Sequence, residues 1–173
     1  QITVGKLKTV KAIVDPMTQL LARDEDLQTL HELALEADSA DELAEVTAEM
    51  IQLEKDLEAL ELKTLLSGPH DGGNCYFSIH AGAGGTESCD WAAMLMRQYL
   101  RYFERNGYKV SEVDRTDGEE AGIRSITLHV KGPYGYGYLS CERGVHRLVR
   151  VSPFDSQGRR HTSFAAVDVL PEL

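Results

Sequence analysis

The chain has 173 residues, 42% of them hydrophobic, and 18 Lys+Arg against 28 Asp+Glu give it a net charge of −10. That length holds one domain of ordinary size, or one small domain with a helical hairpin, around a packed core. There is no run of about 18 apolar residues to span a membrane, no basic apolar leader that would direct secretion, and Cys75, Cys89 and Cys141 are too few and too scattered for a disulfide framework or a zinc site; a reducing cytosol is the expected compartment.

The first seventy residues read as helix. Leu43, Val46, Met50, Leu53, Leu57 and Leu60 follow alternating steps of three and four, one apolar seam with acids on the outer face. Asp38-Ser39-Ala40-Asp41 supplies its N-terminal cap. Upstream, Leu7, Val10, Val14, Met17 and Leu21 keep the same spacing, and Pro16 predicts a kink or a break. Two or three antiparallel helices would bury both seams. A parallel dimeric coiled coil is the competing use of the pattern, but the seams are short and interrupted. Residues 1–66 are therefore expected to form a helical hairpin or bundle, followed by a linker over 67–73, where Ser67-Gly68-Pro69 and Asp71-Gly72-Gly73 concentrate turn formers.

Residues 74–173 read as an α+β domain. Cys75 to His80 is strand-like, and the glycine-rich stretch Ala81 to Gly85 opens a long amphipathic helix from about Thr86 to Asn106. Trp91, Leu95, Tyr99 and either Tyr102 or Phe103 line one side of that helix, and Gly107 ends it. Lys109 to Asp114, Ser125 to Lys131, Gly137 to Cys141 and Ser163 to Leu170 are further strand candidates. Strands running on after a single helix predict a mostly antiparallel sheet with that helix packed on it.

Charge is divided unevenly. Residues 1–70 hold 6 Lys+Arg against 15 Asp+Glu, whereas residues 141–164 hold five arginines against Glu142 and Asp155. The acid sits on the helices and the positive charge gathers near one stretch, Gly144-Val145-His146-Arg147-Leu148-Val149-Arg150 followed by a loop over residues 151–164. Such asymmetry says more about partners than the total does. The loop carries Ser152, Pro153, Phe154, Arg159, Arg160, His161 and Thr162. Hydroxyls that bond base edges, rings that stack on unpaired bases and arginines that meet phosphate are equipment for single-stranded RNA. Arg143, Arg147, Arg150, Arg159 and Arg160 are candidates for RNA phosphate, or for ion pairs with Glu142, Asp155 or Glu119. The stretch Gly82-x-Gly84-Gly85-Thr86-Glu87 lacks the ending of a nucleoside-triphosphate loop and the spacing of a dinucleotide site. It reads either as a structural strand-to-helix turn or as a point where a ligand approaches the main chain. No nucleophile with an evident base and no metal-ligand spacing stands out, so neither catalytic residues nor a metal or other cofactor is expected.

Three blocks carry a resemblance: Ala81 to Glu87, Gly144 to Arg150, and Arg159 to Phe164 around Ser152-Pro153-Phe154. In this order the chain resembles the bacterial class I peptide chain release factors, in the branch that reads UGA and UAA rather than UAG. The resemblance runs from about Val10 to Leu173. It implies that Gly84 and Glu87, at the tip of the long helix, meet the first base of the stop codon. Ser152 would contact the second base, Pro153 would hold the loop shape, and Phe154 would pack beneath it. His161 would stack between the second and third bases, its ring kept neutral by the neighbouring guanidiniums, and Thr162 would select adenine at the third. The implied partners are the ribosome, the messenger RNA stop codon and, for a whole factor, peptidyl-tRNA, with the protein a monomer. The family's catalytic Gly-Gly-Gln tripeptide occurs nowhere in these 173 residues. With Gln1 in place of an initiator Met, the chain reads as the recognition part of a longer factor and not itself an enzyme. A paralogue that regulates a transcript without a catalytic domain is the alternative.

Overall fold

The computed structural model describes residues 2–173 and divides them into two compact units, up to Leu66 and Ser67–Leu173. The first is a pair of helices, α1 (Ile2–Glu36) and α2 (Ala40–Leu65). Ser39 caps α2, its hydroxyl accepting the Glu42 amide at 3.4 Å, and Asp38 turns the chain at φ +49. An Arg23–Asp56 ion pair at 2.7 Å joins the two helices. It is open to solvent, where screening and side-chain entropy leave such pairs weak.

The helical pair departs from its sequence pattern in both helices. Pro16 does not break α1, which continues through it; the proline forfeits one backbone bond, and the turns on either side hold the helix. The row Leu7, Val10, Val14, Met17 and Leu21 is exposed. The neighbouring row of Ile13, Pro16, Leu20, Leu27 and Ala34 is the one turned inward, against Leu43, Val46, Leu53 and Leu60 of α2, while Met50 and Leu57 of the expected α2 seam are exposed. Both α1 rows satisfy helical spacing, so spacing alone does not choose between them. No helix among the described residues is long and apolar enough to cross a membrane.

The second unit is α+β. Strands β1 (Cys75–Ala81), β2 (Lys109–Asp117), β3 (Ile123–Lys131), β4 (Gly144–Val151) and β5 (Arg160–Pro171) form one antiparallel sheet in the order β2-β3-β1-β5-β4. Helix α3 (Thr86–Arg105) packs on one face. Strand residues alternate faces, so Cys75, Phe77 and Ile79 of β1 align with Val130, Leu128 and Ile126 of β3, and with Val169 and Val167 of β5, to make an apolar floor. Leu95, Tyr99 and Phe103 of α3 close it, with the Phe77 and Tyr99 rings 4.6 Å apart. The fourth α3 position is Phe103; Tyr102 is 39% exposed. Burial pushes the Cys75 thiol up to about 12.

The segment expected as a strand over Gly137–Cys141 is instead a short helix, α4 (Gly135–Ser140). Its Tyr-Gly alternation mimics strand period, but the Tyr136 and Gly137 amides donate to Gly73 and Asp71 carbonyls of the preceding turn. That wraps the backbone and buries Gly135, Gly137 and Leu139 together. Conversely, β4 was not expected, and the presumed loop 151–164 is shorter: Arg160 to Phe164 already belong to β5.

Candidate nucleic-acid interface

The turn from β1 into α3 is held at very close range. The Gly82 amide donates to Phe164 O at 2.8 Å, and a Cβ at Gly82 would stand 2.7 Å from that oxygen. Gly84 and Gly85 have φ of +149 and +59, which side chains other than glycine's rarely tolerate. Gly85 caps α3 without a side-chain acceptor. The first-turn amides thus keep their donor capacity at the positive end of the helix dipole.

Ser152 is buried beside this helix end. Its hydroxyl donates to Glu87 Oε1 and accepts the Phe154 amide at 3.1 Å. Arg150, two residues earlier and on the α3-facing side, reaches Asp90 Oδ2 at 2.5 Å and Glu87 Oε2 at 3.3 Å, and its Nη1 lies 3.4 Å from Met94 Sδ. Its Nε finds no partner. One guanidinium therefore binds two carboxylates one helical turn apart, and one of those carboxylates holds the loop serine.

Asp155 organises the remainder of the loop. Its side chain accepts from the Gln157 amide at 2.9 Å, from Arg159 Nε at 2.7 Å and from His161 Nε2 at 2.8 Å. The backbone closes the same turn through Ser152 N to Arg159 O and Gly158 N to Asp155 O, both 3.0 Å. The hydrogen bond from Arg159, then those from His161 and the Gln157 amide, hold the Asp155 carboxyl far below the ordinary carboxylate range. Because the folded value is depressed, the contribution of this carboxylate to stability is present above the ordinary pKa and is lost as pH falls through the folded one. In a carboxyl-carbon NMR titration, the Asp155 signal should stay flat from neutral pH to well below 3.8, where an unperturbed aspartate is half protonated. A midpoint at the ordinary value would show that the triple acceptor does not exist in solution.

This contact also changes the expectation for His161. Its closest charge is the Asp155 carboxylate, not a guanidinium of the preceding arginines, and Nε2 is the donating nitrogen. The ring faces the α3 side and is 40% exposed at its side chain. Thr162, the next residue, points to the opposite face beside Val149 of β4. Phe154 does not pack beneath the loop: it is 48% exposed, because the Ser152 hydroxyl and Asp155 carboxylate already fill the inner side of the turn with polar bonds.

The five candidate arginines divide by face. Arg143 pairs with Asp168 at 3.1 Å, Arg159 with Asp155, and Arg150 with Glu87 and Asp90. Arg147 and Arg160 alternate onto the outer face with Thr162 and Phe164 and make no ion pair within their unit. Glu142 accepts from Tyr99 Oη instead of pairing with an arginine. Gly84, Glu87, Ser152, Pro153, Phe154 and His161 are brought to one end of the sheet by these contacts, with Thr162 beside them on the other face. Sequence reasoning missed Asp90 and the organising role of Asp155; the step of three from Glu87 to Asp90 was the available signal. Among the described residues no group of three or more His, Cys, Asp or Glu side chains is arranged to hold a metal ion.

Residues 1–167 match the PCRF domain. The chain belongs to that family. It is 49% identical over 170 residues to peptide chain release factor 2 of Staphylococcus epidermidis, covering 98% of this chain and 46% of the relative. It is 47% identical over 173 residues to peptide chain release factor 2 of Staphylococcus haemolyticus, covering 100% of this chain and 47% of the relative. The solved structure titled RF2 of Thermus thermophilus matches with a TM-score of 0.71 and 49% identity, over 94% of this chain and 45% of that one. The chain thus spans about half the length of the relatives it matches.

Proposed function

We propose that this chain is the stop-codon-reading part of a release factor that terminates translation on the cytoplasmic ribosome at UGA and UAA. The observation that carries the reading is the Ser152–Glu87 hydrogen bond, which joins the loop to the tip of α3. It sets Ser152 beside the Gly84–Glu87 turn, and Asp155 draws His161 to the same place. In this reading the helix tip meets the first base, Ser152 the second, and His161 stacks between the second and third. The Ser152 hydroxyl, buried here on Glu87 and the Phe154 amide, is a rotating donor and acceptor that would serve either purine once turned toward the base. His161 and Thr162 point to opposite faces of β5, which gives two successive bases separate spaces. Hydrolysis of peptidyl-tRNA in the whole protein is assigned to residues outside these 173, which contain no Gly-Gly-Gln.

The test is equilibrium binding of the chain to ribosomes carrying UGA, UAA, UAG or a sense codon in the A site. UGA and UAA should bind about tenfold more tightly than the other two, the scale of one base-edge contact. His161→Phe should keep most of the affinity for UGA and UAA, since stacking survives, whereas His161→Ala should lose about 1–3 kcal/mol of it. Equal affinity for all four codons would refute the reading.

A further inference from the structure

Helix α3 carries a row that the codon-reading surface does not use. Arg97, Arg101 and Arg105 recur every four residues and are all exposed. They line one groove with Met94, Gln98 and Tyr102. None makes an ion pair within the Ser67–Leu173 unit. Like charges four apart on a helix oppose its formation, and here two such pairs occur in succession. Arg105 alone has a local reason to be basic, standing in the last turn where the helix dipole favours a cation. Helix stability therefore does not account for the row, and in a chain of net charge −10 it is not a general excess of base either.

At a rise of about 1.5 Å per residue, successive guanidiniums stand about 6 Å apart along the axis, comparable to the separation of neighbouring phosphates on a nucleic-acid strand. Guanidinium also binds phosphate bidentately. Tyr102, 39% exposed within the same groove, offers a ring surface beside the charges. We propose that the Arg97–Arg101–Arg105 face of α3 binds the sugar–phosphate backbone of ribosomal RNA, independently of which codon is read. The inference rests on the reading that this chain acts on the ribosome, and it adds a positioning surface remote from the codon contacts at the other end of the same helix.

The test compares the full chain with its R97Q/R101Q/R105Q and R97K/R101K/R105K variants. The probe is the small ribosomal subunit programmed with UGA or with a sense codon, from 50 to 200 mM KCl. Each lost phosphate contact should flatten the logarithmic salt dependence by about 0.7–0.9. Across that salt range the parent should therefore lose about 20- to 40-fold more affinity than the glutamine variant. The deficit should be the same on both codons, the lysine variant should retain the parental slope, and the melting temperature of the glutamine variant should not fall. An unchanged salt slope for the glutamine variant would overturn the proposal. So would tighter binding on substitution, which would assign the row to an acidic segment of the chain itself. Loss of codon preference in the parent with the salt effect intact would instead overturn the codon-reading assignment and leave this surface standing.

Discussion

Gly122→Ala is expected to destabilise the Ser67–Leu173 unit by about 3 kcal/mol or more and to displace the start of α3. Gly122 has φ of +71, and a Cβ there would overlap the Cys89 carbonyl and stand 2.5 Å from the Asp90 amide. Both obstacles are backbone, so no rotamer change relieves them. The turn is braced from its other end as well, by Gly118 N donating to Gly122 O at 3.0 Å and by the close approach of Gly118 to Cys89 Cβ. A unit of this size loses about 4–8 °C of melting temperature per kcal/mol, so a fall of about 12 °C or more is predicted. Gly107→Ala is the control: its φ is +70, but nothing lies within 4 Å of the added carbon. It should cost only the backbone strain, about 1–2 kcal/mol. Equal melting temperatures for the two variants would mean that the turn does not press on α3.

Arg150→Met should lower stability by about 2 kcal/mol and release the loop from the helix. The substitution preserves an apolar stem near Met94 but leaves Glu87 and Asp90 without their shared guanidinium, and with side chains only 13% and 26% exposed they are poorly hydrated. Breaking a fully buried pair costs about 3–5 kcal/mol; the partial exposure here reduces that. Two consequences separate this account from general damage. Hydrogen exchange should accelerate at the Phe154 amide, whose acceptor is the serine held by Glu87. Adding Asp90→Asn to Arg150→Met should restore part of the loss, because it removes one of the two orphaned charges. Strict additivity of the two substitutions would argue that the triad is not coupled.

Arg150 also shows where sequence reading stops. Its basic character was legible, and RNA phosphate was one natural assignment. What occupies it is a pair of carboxylates 60 and 63 positions away in the chain, and no local pattern reports such a distance. Asp155 is similar: in sequence it is a lone acid in a basic loop, in space it is the acceptor for three donors. His161 changed its electrostatic neighbour for the same reason.

What the chain determined by itself is the set of features that depend on near neighbours. Steps of three and four made α2 and α3, Ser39 placed the start of α2, glycines marked the turn into α3 and its end, and β-branched and aromatic runs marked β1, β3 and most of β5. The three motif blocks identified the family. Tertiary structure decided what depends on which surfaces meet. It selected Ile13 and Leu27 over Val10 and Val14 as the inward row of α1, since both rows fit a helix and only contact with α2 distinguishes them. It coiled Gly135–Ser140 against the carbonyls of Asp71 and Gly73. It made Gly144–Val151 a strand because β5 offers the pairing edge, a hydrogen-bond partner that the stretch does not contain within itself.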